Sequence, residues 1–120
     1  YTASDTFRRW KALIKEAARR PNVLMKLGGL SRRRCGFNFE DWKVPPTAEQ
    51  LAEHWKPYIE TCIDLFGPQR CMFESNFPPD QVAGSYHTLW NALKLTASSC
   101  SAGELAHLFS GTARRTYRID

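Results

Sequence analysis

Apolar positions near the start of the chain recur at helical spacing. Phe7, Trp10, Ile14 and Ala17 fall three or four residues apart, which predicts a helix over Thr2–Arg20 with one face turned inward. Ser4 or Asp5 is placed to cap it, and Pro21-Asn22 to end it. Val23–Leu27 is a short apolar strand that carries one lysine, Lys26, and Gly28-Gly29 closes it as a turn. A long irregular stretch runs over Ser31–Pro46. Thr47 and Gln50 form a capping box for a second helix, whose buried stripe is Leu51, Trp55, Tyr58 or Ile59, Cys62 and Phe66. Pro57 lies inside that helix and is expected to kink it or break it in two. Gly67-Pro68 stops it. A second strand then begins at Cys71. A third helix is expected over Ser85–Ala97, with Tyr86, Leu89, Trp90, Leu93 and Lys94 on successive turns. Ser101 and Glu104 make another capping box for a short helix through Phe109. Gly111 is expected to break it, and Thr112–Tyr117 to add a last helical turn or two. Trp10, Trp55 and Trp90 fall on the amphipathic faces and are expected in the core.

The second strand ends abruptly. In Arg70-Cys71-Met72-Phe73-Glu74-Ser75-Asn76-Phe77-Pro78 an apolar run gives way to three hydrogen-bonding side chains, and Pro78-Pro79 forbid the strand from continuing. Ligands and catalytic groups gather at the carboxyl ends of parallel strands. Glu74, Ser75 and Asn76 are therefore site candidates, set against a solvated loop that happens to come after a strand. Helices alternate with strands that are apolar throughout, as in a parallel sheet covered by helices. Two such strands leave unpaired edges of buried character. The chain thus reads as α/β and incomplete by itself, completed by a larger sheet or barrel or by another chain, and an oligomer is expected.

Bulk properties narrow the classes. At 120 residues with 42% hydrophobic and 12% aromatic content there is room for one globular domain. The net charge of +5 is concentrated in three short clusters, Arg19-Arg20, Arg32-Arg33-Arg34 and Arg114-Arg115 with Arg118. A nucleic-acid footprint asks for a continuous basic face, so nucleic acid is not expected as a partner. Cys35, Cys62, Cys71 and Cys100 form no Cys-x-x-Cys pair and no zinc-spaced cluster, a pattern that fits a reducing, cytoplasmic compartment. Cys62 and Cys71 read as small core residues. No apolar run reaches the ~18 residues of a membrane span, so no membrane partner is expected.

The run Asn22 to Leu30, with its lysine and Gly-Gly, resembles the seventh strand of the amidohydrolase-related (amidohydrolase family 2) TIM-barrel hydrolases. Phe66 to Pro78 resembles their eighth strand and its approach, and Phe109 to Tyr117 their closing helix. The Gly67-Pro68…Arg70-Cys71-Met72-Phe73…Ser75…Phe77-Pro78 pattern is the more specific part. The resemblance implies the carboxyl-terminal part of a (β/α)8 barrel, about two strands with flanking helices. A full barrel runs to ~250 residues. It further implies a metal-dependent hydrolase acting on a lactone or an amide at the carboxyl ends of its strands. The family's remaining histidines would lie upstream of Tyr1, and the lack of an initiating methionine hints at a partial chain. His54, His87 and His107 each fall in an expected helix and read as surface or packing residues, so no metal ligands are expected here. The cofactor stays open, with zinc or manganese an option for the full barrel.

One departure matters. The family usually ends its eighth strand with an aspartate that binds metal or activates water, and this chain has Asn76 there. An amide is a weak ligand and no base. A subgroup of the family does carry the Glu-Ser-Asn-Phe-Pro form. Glu74, two residues earlier, falls on the same side of the strand and is a candidate for the acid/base role, with Asn76 orienting a substrate carbonyl. The alternative is a structural Glu74 paired with a basic residue. Lys26, in its apolar strand, must pair with an acid or reach the barrel mouth, and Glu74 is a plausible partner. Arg32 and Arg34 come after the first strand on the face where this fold binds substrate, and are candidates to hold an acidic group. Phe37, Phe39 and Trp42 either lid the site or pack on the helices. Two functions are open: a small-molecule hydrolase active only with the rest of its barrel, or a truncated, non-catalytic self-associating module.

Overall fold

The computed structural model describes residues 3–120. The first helix, α1, is Ala3–Ala18. Thr2, its expected start, lies outside the described residues. Ser4 and Asp5 sit within the helix rather than capping it. No α1 residue is fully buried; Trp10, Ile14, Ala17 and Ala18 lean on the core as half-buried side chains. Phe7 and Trp10 meet Tyr58 edge-on, at 5.2 and 4.9 Å between ring centroids.

The strand after α1 is shorter than expected: β1 covers only Met25–Leu27. The helix α2, Ala48–Phe66, is opened by the expected capping box, with Thr47 N–H donating to Gln50 Oε1 (2.9 Å) and Gln50 N–H to Thr47 Oγ1 (3.1 Å). Leu51, Trp55, Ile59, Cys62 and Phe66 are all buried on its inner face. Pro57 does not break it. The proline is exposed, and the buried Trp55 and Ile59 on either side hold the two halves in one helix. Gly67, at φ 83°, ends α2 in a conformation that side chains avoid. The strand β2, Cys71–Phe73, is buried along its whole length. It runs parallel to β1, with Met25, Lys26 and Leu27 opposite Cys71, Met72 and Phe73. Neither strand has another neighbour among the described residues.

Of the remaining helices, the first packs against α2, while a π-helical turn and the last helix, near the end of the chain, cover β2. The helix α3, Tyr86–Thr96, starts at Ser85, whose Oγ accepts from Thr88 N–H (3.1 Å). The helix α4, Ala102–Ala106, has the expected Ser101–Glu104 box. Gly111 does not break the chain's helical course. Residues His107–Gly111 form a π-helical turn that runs directly into α5, Thr112–Tyr117. The wide turn is held from both sides: Leu108 is buried, Phe109 packs on Phe73 at 4.7 Å, and Thr112 Oγ1 donates to Pro68 C=O (2.9 Å). Of the tryptophans expected in the core only Trp55 is fully buried. Trp10 and Trp90 are half-buried, because α1 and α3 present them at the margin of the layer. No helix among the described residues is long and apolar enough to cross a membrane.

One arginine ties the helix ends together. Arg70 donates from Nε to Phe66 C=O (3.1 Å), from Nη1 to Arg20 C=O (2.9 Å) and Val23 C=O (3.2 Å), and from Nη2 to Ala18 C=O (2.9 Å). Its guanidinium also lies over the Phe66 ring, 5.0 Å from the centroid. The carbonyls left open at the ends of α1 and α2 thus share one fork of donors.

Candidate functional site

The carboxyl ends of β1 and β2 lie side by side, and most of the expected site residues gather there. Lys26 and Met72 are opposite in register, so Glu74, two residues past Met72, faces the same way as Lys26. Lys26 Nζ reaches Glu74 Oε2 at 3.1 Å. The hydrogen bond and charge of Glu74 raise the Lys26 ammonium above its ordinary pKa, with Tyr117 adding to the effect. The Lys26 side chain is about half exposed, so this is a partly solvated ion pair rather than a buried charge rescued by an acid.

The two glycines after β1 make room for this pair. A Cβ on Gly28 would come within 2.3 Å of Glu74 Cγ and 2.6 Å of Glu74 C=O. Gly29 takes a left-handed φ of 76° and faces the Asn76 amide. Gly28→Ala is expected to push Glu74 off Lys26 and cost about 1–3 kcal/mol in overpacking. Urea unfolding checks this, and a change under about 0.5 kcal/mol would show that the close approach is soft.

Glu74 and Asn76 do not act from one strand face. Regular pairing stops at Phe73, and Asn76 adopts φ 47°, so the alternation of a strand does not carry that far. Asparagine tolerates this region better than most residues. Glu74 turns to Lys26, while Asn76 Nδ2 donates to Asp80 Oδ1 at 2.8 Å. Asp80 N–H in turn donates to Asn76 C=O (3.0 Å), and Ser31 N–H points at Asp80 Oδ2 (3.5 Å). Asp80 is 2% exposed. Sequence reasoning did not single it out. The signal was its place four residues after Asn76, behind two prolines that fold the chain back. Ser75 Oγ accepts from Phe77 N–H (3.2 Å) and closes the intervening turn.

This pairing makes Asn76→Asp informative. Two carboxylates at hydrogen-bond distance cannot both ionise freely, so one keeps its proton above the usual range. The raised folded-state pKa makes the penalty full at high pH, and it is relieved as pH falls through that value. The variant is expected to be less stable than wild type by about 1–3 kcal/mol at pH 8 and to recover most of this near pH 5. Urea unfolding at the two pH values reads it; a pH-independent difference would contradict the pairing.

The arginine run divides. Arg33 is neutralised within the long loop, Nε to Glu40 at 3.0 Å and Nη2 to Asp41 at 2.8 Å. Arg32 and Arg34 have no acidic partner among the described residues. Both line an open cleft of about 300 Å³ with Gly29, Asn76 and Pro79. The loop aromatics are not a lid. Phe39 is buried and, with Phe37 and Trp42, surrounds the His54 ring of α2 at 5.5–5.9 Å. His54 Nδ1 is engaged by Gln50 C=O (2.8 Å), so this histidine is a packing residue.

A metal does not fit the side chains present. Among the described residues no three His, Cys, Asp or Glu side chains converge as ligands. The Lys26 ammonium occupies the nearest carboxylate, and Asn76 is engaged by Asp80.

The geometry has close relatives. The amidohydrolase family model matches residues 2–119. An L-fucono-1,5-lactonase of Burkholderia multivorans is 36% identical over 112 residues, which are 92% of this chain and 36% of that enzyme. The uncharacterised protein y4mH of Sinorhizobium fredii is 36% identical over 113 residues, 94% of this chain and 34% of that one. Crystal structures of an amidohydrolase from Burkholderia multivorans, one with bound HEPES and one with bound zinc, superpose with a TM-score of 0.78 at 35% identity, covering 94% of this chain. The chain spans little more than a third of the length of these relatives. Its helices and two parallel strands match the carboxyl-terminal part of their barrel, and the chain belongs to the amidohydrolase family.

Proposed function

We propose that this chain forms the carboxyl-terminal part of a lactone-opening hydrolase. One observation carries the reading: Lys26 pairs with Glu74 at the carboxyl ends of two parallel strands, and Arg32, Arg34 and Asn76, in the segments that follow those strands, line one open cleft, at the end of the sheet where barrel enzymes place their chemistry. In the reaction, water attacks the lactone carbonyl, the ring C–O bond breaks, and the product is a hydroxy acid. Glu74 is the group placed to accept the proton from water and return it to the leaving oxygen. Lys26 holds Glu74 in place and supplies positive charge near the developing oxyanion. Asn76 orients the substrate, Ser75 shapes the turn beneath it, and Arg32 and Arg34 receive an acidic group. Histidines of the preceding strands complete the site. The partners are a small-molecule substrate and the rest of the barrel, and a cytoplasmic setting is proposed on the four free cysteines.

The test is turnover by a completed barrel, in which residues 2–119 replace the matching part of the Burkholderia multivorans lactonase, with L-fucono-1,5-lactone followed by pH-stat and a simple amide followed by amine release. Faster opening of the lactone than in buffer alone supports the reading. A preference for the amide moves it to amide hydrolysis. No turnover of either by the folded, completed barrel, together with a mass of the 120-residue chain that doubles or quadruples with concentration, favours a second reading: a self-associating module without catalysis. The observation behind that reading is the open outer edges of β1 and β2.

A further inference from the structure

Asp80 does more than close a turn. By taking Nδ2 it fixes which way the Asn76 amide is set, and leaves Oδ1 as the end free to accept. Oδ1 receives no hydrogen bond from the described residues and is not among their buried, unpartnered polar atoms, so it is open to solvent. Asn76 therefore offers the cleft an acceptor. The same cleft carries two guanidinium groups, Arg32 and Arg34, with no acid to neutralise them, because Glu40 and Asp41 are both spent on Arg33. No carboxylate lines it.

The ligand that matches has an anionic head for the arginines and a hydroxyl donor close by for the amide oxygen. A neutral lactone offers the hydroxyl alone, and a simple carboxylate the charge alone. A 2-hydroxycarboxylate has both on adjacent carbons. It is also what an aldonolactone becomes: water adds to the carbonyl, the ring oxygen leaves as an alcohol, and a carboxylate and a proton are released. We propose that the cleft bounded by Gly29, Arg32, Arg34, Asn76 and Pro79 is a 2-hydroxycarboxylate subsite that holds the opened product, with Asp80 as the positioning residue that turns the Asn76 acceptor outward. The choice of an aldonate as ligand rests on the lactone-opening reading.

Calorimetric titration of the full chain with D-gluconate, acetate and glucitol at constant ionic strength tests it. Gluconate is expected to bind about tenfold more tightly than acetate, and glucitol not to bind. Arg32→Gln with Arg34→Gln should weaken gluconate about tenfold or more, while the charge-matched pair Arg19→Gln with Arg20→Gln leaves it unchanged. Asn76→Gly, which keeps the left-handed backbone, should reduce gluconate to the affinity of acetate. Asp80→Asn should narrow the gluconate-to-acetate ratio and leave acetate untouched. Equal affinity for gluconate and acetate, or equal loss in both arginine pairs, overturns the proposal. Lactone opening measured in the completed barrel, with residues 2–119 grafted into the Burkholderia multivorans lactonase, separates the two claims. Opening without gluconate discrimination overturns the subsite alone, and gluconate discrimination without opening overturns the lactonase reading alone.

Discussion

Replacing Arg70 with alanine is expected to lower stability by about 3–4 kcal/mol. The guanidinium donates to four carbonyls, at Ala18, Arg20, Val23 and Phe66. Hydrogen bonds from a charged donor contribute about 1.5–3 kcal/mol each when buried. These do not add in full, because carbonyls at partly exposed helix ends regain water once the side chain is gone. The positive charge also sits at the carboxyl ends of α1 and α2, where it complements both helix dipoles. Arg70→Lys keeps the charge but has one compact head, which cannot reach both helix ends together. It should recover less than half of the loss. Urea unfolding followed by tryptophan fluorescence measures both variants. A loss below about 1 kcal/mol for Arg70→Ala would mean that the helix ends are held by packing alone.

Phe39→Ala should cost about as much, roughly 3–5 kcal/mol, the usual range for emptying a buried phenylalanine site. Phe39 is 2% exposed, although it lies in the long loop, at the start of its second short 3₁₀ turn. Its ring meets Phe37, Trp42, His54 and Trp55. It is thus the anchor that seats the 31–46 loop on α2, and the loop carries Arg32 and Arg34. The same substitution should therefore loosen the cleft, seen as faster amide exchange over the loop than in wild type. Phe37→Ala, at a half-buried ring, should have about half the effect on stability. If Phe39→Ala leaves exchange in the loop unchanged, Arg33 with Glu40 and Asp41 is the anchor instead.

What could be read from the sequence depended on range. Both capping boxes were legible because every atom in them lies within four residues. The Lys26–Glu74 pair was legible too, since a charge inside an apolar strand has few ways to be satisfied. Gly111, and the break offered as one outcome at Pro57, were misjudged by a local rule. Proline and glycine weaken a helix by propensity, and buried neighbours on both sides override that. Asn76 and Asp80 were missed as a pair because strand alternation was carried past Phe73, where a left-handed residue turns the chain. Arg70 was read as part of a motif, with no sign that three of its four carbonyl partners lie about fifty residues away, at the end of α1 and just past it. Trp10 and Trp90 were placed in the core by periodicity, which gives the inward face of a helix but not the depth at which it sits.

The sharpest test of Glu74 as the proton-transfer group is a chimera. Residues 2–119 replace the matching part of the Burkholderia multivorans lactonase, and lactone opening is measured in the assembled barrel. The folded chimera is expected to open the lactone, and Glu74→Gln to lower kcat at least about a hundredfold with little change in KM, as for loss of a proton-transfer group. A folded chimera whose rate is unchanged by Glu74→Gln would contradict that role.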